Sequence, residues 1–209
     1  MQNNAFVGEL KISGNDLTDL AALHLVPIFE KQSGHNITKL KVDGNCFTTK
    51  AGEYLGQALI DNPSYPLKSI SFEDICLESI GLTRIIEAAN CNEHIKRLNI
   101  GILSDESLSH LSVILRENTT LEELTIAETS DPQKLWTDAG RAAFTTLLRE
   151  GTNIKQVKLE FHQKKCEADD LFKKEIKFYS GMKAKKQKRM DEYRKILNSC
   201  DPSQMFGSL

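Results

Sequence analysis

The segment Ile37-Thr38-Lys39-Leu40-Lys41-Val42-Asp43-Gly44-Asn45-Cys46-Phe47 contains the pattern that decides the fold of this chain. It begins with an apolar residue, two variable residues, and then two apolar residues that flank a single variable one. The same phrase occurs six times, with steps of 30, 30, 28, 26 and 33 residues between copies. Its copies begin at Val7, Ile37, Leu67, Ile95, Leu121 and Ile154. Recurrence at this period is typical of a solenoid, in which each unit buries its apolar face against its neighbours.

Each copy divides into a strand and a helix. Leu40 and Val42 alternate with polar residues, and this period of two predicts a strand with one buried face. Apolar residues at helical spacing follow, such as Leu55, Ala58 and Leu59. Successive parallel strands need a long crossover connection, which the helix supplies. The sequence therefore predicts an α/β fold, namely a right-handed solenoid with parallel strands on its concave face and helices on its convex face.

Residues at the helix ends and on the helix faces give more detailed expectations. Thr48 and Ser79 are candidate N-caps, because a hydroxyl can accept a hydrogen bond from a free amide of the first turn. Pro27 should shorten or kink the first helix. Helical spacing also assigns apolar residues to buried faces. They are Leu20, Leu23, Ile28 and Phe29 in the first copy, and Ile80, Leu82, Ile85, Ile86 and Ala89 in the third.

The repeats resemble the leucine-rich-repeat family, specifically its ribonuclease-inhibitor-like subtype with long helical units. The family pattern L-x-x-L-x-L-x-x-N-x-L matches best at residues 37–47, and the first copy matches through Asn15 and Leu17. The resemblance implies that the asparagine hydrogen-bonds backbone groups in the turn after each strand. Later copies lack it and place Ile75, Leu103, Thr129 and His162 at this position. The resemblance covers about residues 5–163 and does not imply an asparagine ladder beyond the second copy.

Charge divides the chain into regions. Residues 1–163 hold 15 Lys/Arg and 22 Asp/Glu, a balance of −7, whereas residues 164–199 hold 12 and 6, a balance of +6. We therefore expect a repeat domain over 1–163, a helical cap and basic helix over 164–199, and a flexible tail over 200–209. A split of this kind indicates two regions with different roles, or one region that docks on the other.

The C-terminal extension has two features. Leu171, Phe172, Ile176 and Tyr179 form an apolar stripe that should cover the open end of the solenoid, and Ser180-Gly181 should then break the helix. The basic stretch over 182–198 has several interpretations: association with a membrane surface, docking on an acidic protein or on the acidic repeats, or a solvated helix. Nucleic acid is disfavoured, because base-stacking aromatic residues are missing among the lysines.

No motif of enzymatic chemistry is present. The sequence has no Gly-rich phosphate loop, no H-E-x-x-H or G-x-S-x-G motif, and no metal-spaced Cys/His cluster. We expect neither catalysis nor a cofactor, a metal or a small-molecule substrate. No secretory signal is visible, and the five scattered cysteines suit reduced thiols in a cytoplasmic compartment.

A partner protein should bind the concave face, because side chains at the variable strand positions point away from the core. The middle positions of the six strands are Lys11, Lys41, Ser71, Asn99, Thr125 and Lys158. The flanking positions that we expect to contact a partner are Lys39, Arg97, Glu123, Asp43, Glu73 and Glu160. This polar surface of mixed charge suits a reversible protein–protein contact better than an apolar ligand pocket.

Two further resemblances suggest a biological role. The divergent repeats and the short polar tail with Phe206 and Leu209 resemble leucine-rich-repeat effectors that intracellular bacteria deliver into host cells. Repeats followed by a basic helix also resemble the C-terminal actin-capping domain of tropomodulins. The first resemblance implies binding to a host protein, and the second implies binding to the end of a filament.

Overall fold

The computed structural model describes residues 7–30, 34, 36–75, 77–102, 105–128, 137–150, 153–160, 173–182, 185–186, 188–189 and 191–192. Strands and helices alternate along these residues, as the repeated phrase predicts. The strands are β1 (Glu9–Lys11), β2 (Lys39–Lys41), β3 (Ser69–Phe72), β4 (Arg97–Ile102), β5 (Glu123–Glu128) and β6 (Gln156–Glu160). The helices are α1 (Asp19–Leu25), α2 (Thr49–Asp61), α3 (Glu78–Cys91), α4 (Asp105–Arg116) and α5 (Asp138–Glu150).

The strands form one parallel sheet in the chain order β1-β2-β3-β4-β5-β6. Pairing brings the second apolar residue of each copy into a single row: Leu10, Leu40, Ile70, Leu98, Leu124 and Val157. This row confirms the predicted register. A shift of one residue would turn these side chains to solvent, so their burial fixes how each strand aligns with the next.

The core lies between the sheet and the row of helices. Apolar residues of the strands, such as Phe72 and Ile126, meet Leu55, Ile86 and Phe144 of the helices in one continuous cluster. Burial of a side chain of this size stabilises the fold by roughly 1.5–3 kcal/mol. Each strand–helix unit packs on the next one, with contacts from α1 through α5 in chain order. The helices therefore occupy one face of the sheet and leave the other face open.

Asn45 holds the first two turns together, as the family resemblance implies. Its side-chain oxygen accepts hydrogen bonds from the backbone N–H groups of Asn15 and Leu17, at 3.0 and 3.1 Å. Its amide group donates to the carbonyl oxygens of Ile12 and Val42, at 2.9 and 2.6 Å. In the third copy, the apolar Ile75 is buried at the corresponding position.

The helix starts agree with the sequence in part. The Thr48 hydroxyl accepts a hydrogen bond from the Lys50 N–H and caps α2, as predicted. Pro27 lies in a 3₁₀ helix, Val26–Ile28, which follows the short α1, so the predicted shortening is confirmed. The N-cap prediction for Ser79 is wrong, because the N-cap of α3 is Leu77, two residues earlier, and the helix begins at Glu78.

The prediction that Leu20, Leu23 and Ile80 lie on buried helix faces is also wrong. These side chains are 63%, 45% and 61% exposed. In α1, Ala22 and Leu25 are buried instead. Leu20 and Leu23 are three residues apart, and so are Ala22 and Leu25. The sequence of α1 therefore permits two apolar stripes. Packing against α2 determines which stripe faces the core.

Residues 173–182 form a helix beyond β6. Ile176 is 2% exposed within the core cluster, and the Tyr179 ring lies 5.7 Å from the guanidinium carbon of Arg149. The predicted break at Ser180-Gly181 is wrong, because the helix continues and the Ser180 hydroxyl donates to the Ile176 carbonyl at 2.7 Å. Leu171, Phe172 and the predicted tail over 200–209 lie outside the described residues.

Candidate functional site

Residues on the side of the sheet opposite the helices form three columns, and we call this surface the open sheet face. The first column contains Glu9, Lys39, Ser69, Arg97, Glu123 and Gln156, and the middle column contains Lys11, Lys41, Ser71, Asn99, Thr125 and Lys158. The third column follows the strand centres and contains Ser13, Asp43, Glu73, Gly101, Ala127 and Glu160. All twelve predicted contact residues lie in these columns.

Charges of opposite sign meet along the first column. Lys39 Nζ lies 4.0 Å from Glu9 Oε2, with both side chains partly exposed. Arg97 and Glu123 are neighbours in the pairing of β4 with β5. Exposed ion pairs of this kind contribute between about 0 and 1 kcal/mol to stability, so these side chains remain available to a partner.

The middle column is basic at its ends and neutral in its centre. Lys11 and Lys41 are adjacent on β1 and β2, and Lys158 lies on β6. Asn99 and Thr125 are partly exposed between them. Ser71 is only 2% exposed, so this residue offers a partner almost no surface, although its strand position predicts a contact.

The third column is acidic. Asp43 Oδ1 accepts a hydrogen bond from the Glu73 N–H at 2.9 Å, which joins the segment after β2 to the segment after β3. Asn99 Nδ2 donates to Glu73 Oε1 at 3.1 Å. Burial raises the pKa of Glu73 above its ordinary value, and the negative charges of Asp43, Glu160 and Asp74 raise this pKa further. A cation from a partner would relieve this repulsion.

Gly101 and Ala127 separate Glu73 from Glu160 in the third column. Neither carries a long side chain, so the two carboxylates act on each other across this interval. Lys158 Nζ donates to Glu160 Oε1, and this hydrogen bond, together with the negative charge of Glu160, raises the pKa of Lys158. Glu73 and Glu160 therefore form a shallow acidic surface that Lys158 borders at one end.

A cavity of about 460 Å³ lies away from the open sheet face, at the turns that precede β2 and β3. Phe29 and Tyr65 line it, with ring centroids 5.2 Å apart in an edge-to-face arrangement. The Tyr65 hydroxyl accepts a hydrogen bond from the Ile37 N–H at 3.1 Å, and burial raises the pKa of Tyr65. Sequence reasoning missed this cavity, because its walls come from turns rather than from a motif.

The histidines and cysteines of the described residues do not form a cluster. His24, His94 and His110 are exposed, as are the free thiols of Cys46 and Cys91. Across the described ranges, no three His, Cys, Asp or Glu side chains gather closely enough to hold a metal ion. In the same ranges, every helix is too short or too polar to cross a lipid bilayer.

Comparison with known proteins gives information about the fold. No protein-family model matches the sequence, and no curated protein matches it either. Among solved structures, the chain is similar to leiomodin-1 actin-binding site 2 (ABS2), with 18% sequence identity and a TM-score of 0.61. The match covers 84% of this chain and 96% of that one. Together with the parallel sheet of repeated strand–helix units, this likeness shows a fold of the leucine-rich-repeat type.

Proposed function

We propose that this chain is a binding module that grips a partner protein on the open sheet face, without catalysis, a cofactor or a small-molecule substrate. The observation that carries the proposal is the register of the six strands, which holds the three columns side by side. Rigid strands keep charged groups at fixed spacing, and a partner with complementary charges would meet them without reordering the backbone.

The charges of β1, β2 and β3 support this proposal most directly. Lys11 and Lys41 lie beside each other in the middle column, next to Asp43 and Glu73 in the third column. A basic patch thus borders an acidic one on the same surface. Such an arrangement contributes to the specificity and the rate of association more than to the affinity that burial of apolar surface would give.

Two charge reversals test the face. We expect Lys41→Glu and Glu73→Lys each to weaken partner capture from a eukaryotic lysate by about tenfold or more, because each turns an attraction into a repulsion. Lys50→Glu is the matched control, since Lys50 is exposed on α2 on the opposite side of the sheet. Capture that both face variants leave unchanged would exclude this surface as the binding site.

Actin is a second candidate partner, favoured by the similarity to leiomodin-1 actin-binding site 2. The resemblance of repeats plus a basic helix to tropomodulins supports the same candidate. Sedimentation with actin filaments and binding to monomeric actin by fluorescence anisotropy test it. Binding that Lys41→Glu and Glu73→Lys weaken would place actin on the open sheet face. Absence of binding to both forms of actin would exclude this partner.

Finer features of the fold belong to the same proposal. Repeats of 26–33 residues, each with a helix, support a right-handed arc of the ribonuclease-inhibitor-like subtype. The buried Ile176 supports residues 173–182 as part of a cap on the last repeat. The resemblance to bacterial effectors supports action in the cytoplasm, including that of a host cell into which the chain is delivered.

The basic stretch over 182–198 adds a membrane surface as a further candidate contact. Lys185, Lys186, Lys188 and Arg189 are all exposed. Clustered cations of this kind attract anionic lipid headgroups. Binding to vesicles that contain phosphatidylserine should therefore require residues 182–198 and fall with added salt. Equal binding by a chain that lacks these residues would contradict this role.

A further inference from the structure

A groove runs between β6 and the helix formed by residues 173–182. It encloses about 460 Å³. Val157, Leu159 and Ile176 form its apolar lining, and Ser180 and Gly181 lie at one side. The groove lies at the β6 end of the sheet, and Gln156 and Lys158 of the open sheet face border it. The function proposed above uses the columns of the sheet face and not the apolar space beside β6.

Among the described residues, one side of the β6 backbone has no strand partner, and this side faces the groove. The Gln156 N–H donates to the Glu122 carbonyl at 3.1 Å and so points toward β5. Backbone groups of successive strand residues alternate in direction, so the N–H and C=O groups of Val157 and Leu159 point away from β5. In the described part of the chain, no strand follows β6 in the sheet. An edge of this kind is a template for another extended chain.

The walls of the groove are basic. Among the described residues that line it, every ionisable side chain is a lysine: Lys155, Lys158, Lys173 and Lys177. Lys155 pairs with Glu122, just before β5, at 2.8 Å, and Lys158 pairs with Glu160 of β6. Lys177 is exposed on the opposite wall. Lys177 is therefore the cation that this wall offers to an anionic occupant.

We propose that this groove binds an acidic, extended segment of a partner protein, which adds to β6 as a further parallel or antiparallel strand. Hydrogen bonds to Val157 and Leu159 would supply affinity, as in other cases of strand addition. Alternate side chains of the segment would face the apolar lining, and its carboxylates would face Lys177. β6 has five residues, so the segment that fits is short.

The open strand edge favours a peptide over an anionic lipid surface. A lipid phosphate can neutralise the lysines, but it cannot reproduce the alternating donors and acceptors that Val157 and Leu159 present. A peptide backbone satisfies both groups. The two occupants therefore differ in what happens to the backbone amides of β6.

Fluorescence anisotropy on the full chain tests the proposal with a labelled hexapeptide of alternating glutamate and valine. We expect saturable binding of this probe, and binding at least about tenfold weaker for the matching lysine–valine peptide. Lys177→Glu should weaken binding of the acidic peptide by about tenfold. Lys174→Glu is the matched control, because Lys174 is exposed on the same helix and does not line the groove.

Amide hydrogen exchange then identifies the binding mode. Strand addition should slow exchange at the Val157 and Leu159 amides when the acidic peptide is present. Absence of saturable binding, equal weakening by Lys174→Glu and Lys177→Glu, or binding without slower exchange at these amides would each overturn the proposal. Binding to phosphatidylserine vesicles that Lys177→Glu abolishes, with no binding of the peptide, would assign the groove to a membrane instead.

Discussion

Gly52 of α2 and Gly81 of α3 bring the backbones of these two helices into direct contact. A Cβ atom added to Gly52 would lie 2.7 Å from both Cα and the carbonyl oxygen of Gly81. A Cβ atom on Gly81 would in turn lie 2.8 Å from the Thr49 carbonyl oxygen. Only residues without a side chain permit this approach, so the second and third repeats are held together by backbone packing.

Replacing Gly52 therefore tests the helix contact. We expect Gly52→Ala to lower the free energy of unfolding by about 1–3 kcal/mol, because the added methyl group overlaps backbone that cannot rotate away. Gly181→Ala is the control: a Cβ atom there meets nothing within 4 Å. This control should raise stability by up to about 1 kcal/mol through helix propensity. Urea denaturation measures the free energy of unfolding of both variants. An unchanged free energy for Gly52→Ala would contradict the close approach of the two helices.

Asn45 offers a second stability test. Asn45→Ala removes an acceptor for two backbone amides and a donor to two carbonyl groups in the first two turns. We expect a loss of about 2–3 kcal/mol in the free energy of unfolding. Asn15→Ala should lose about 1 kcal/mol or less, because Asn15 is exposed and its amide serves only Ile12 and Ser13. Equal losses would contradict the central position of Asn45.

Asp19 caps a helix that is not its own. Its carboxylate accepts hydrogen bonds from the Thr48 and Ala51 N–H groups, at 2.8 and 3.2 Å, and from the Thr48 hydroxyl at 2.6 Å. Asp19→Ala should lower the unfolding free energy by about 1–2 kcal/mol. Asp19→Asn keeps one acceptor oxygen and should lose about half as much. The difference between the two variants should persist in denaturation at high salt, since direct hydrogen bonds remain there.

The acidic third column predicts a pH dependence. Burial and the charges of Asp43, Glu160 and Asp74 raise the pKa of Glu73 above its ordinary value of 4.5. A carboxyl group whose pKa is higher in the folded state destabilises the fold when it is ionised. This penalty is absent below pH 4.5, develops as the pH rises through the folded-state pKa, and is complete above it.

Glu73→Gln should therefore be more stable than the parent chain at pH 7, and the difference should vanish as the pH falls to 4.5 and below. The gain should stay below about 1 kcal/mol, because solvent screens a partly exposed carboxylate. The glutamine carbonyl can still accept the hydrogen bond from Asn99. Glu123→Gln, on the exposed first column, is the matched control. A gain that does not change with pH would show that charge repulsion is not its cause.

The sequence predicts the strands and their register well, because the same physical requirement recurs six times. Leu40, Ile70, Leu98 and Leu124 must all avoid water on one face, and only one alignment satisfies all of them. The position of the twelve predicted contact residues on one surface follows from that alignment. Ser71 shows the limit of this reasoning, since alternation gives the direction of a side chain but not how much its neighbours cover it.

Helix faces and the end of the repeat array are less predictable. Leu20 and Ile80 satisfy helical spacing, yet packing between helices turns them to solvent. The groove beside β6 depends on where residues 173–182 lie in space, and no local pattern specifies that. The capping of α2 by Asp19 cannot be predicted from a local sequence pattern either, because Asp19 and α2 belong to different repeats.

The chain order of the sheet has a consequence for how the molecule opens. Within the described sheet, each strand bonds only to the strand before it and the strand after it, so no strand pairing links the first repeat to the last. Fluctuations should therefore begin at β1 and β6, where a strand has one neighbour, and move inward one repeat at a time. The close contact between Gly52 of α2 and Gly81 of α3 should slow local unfolding that starts at β1 and spreads toward the third repeat.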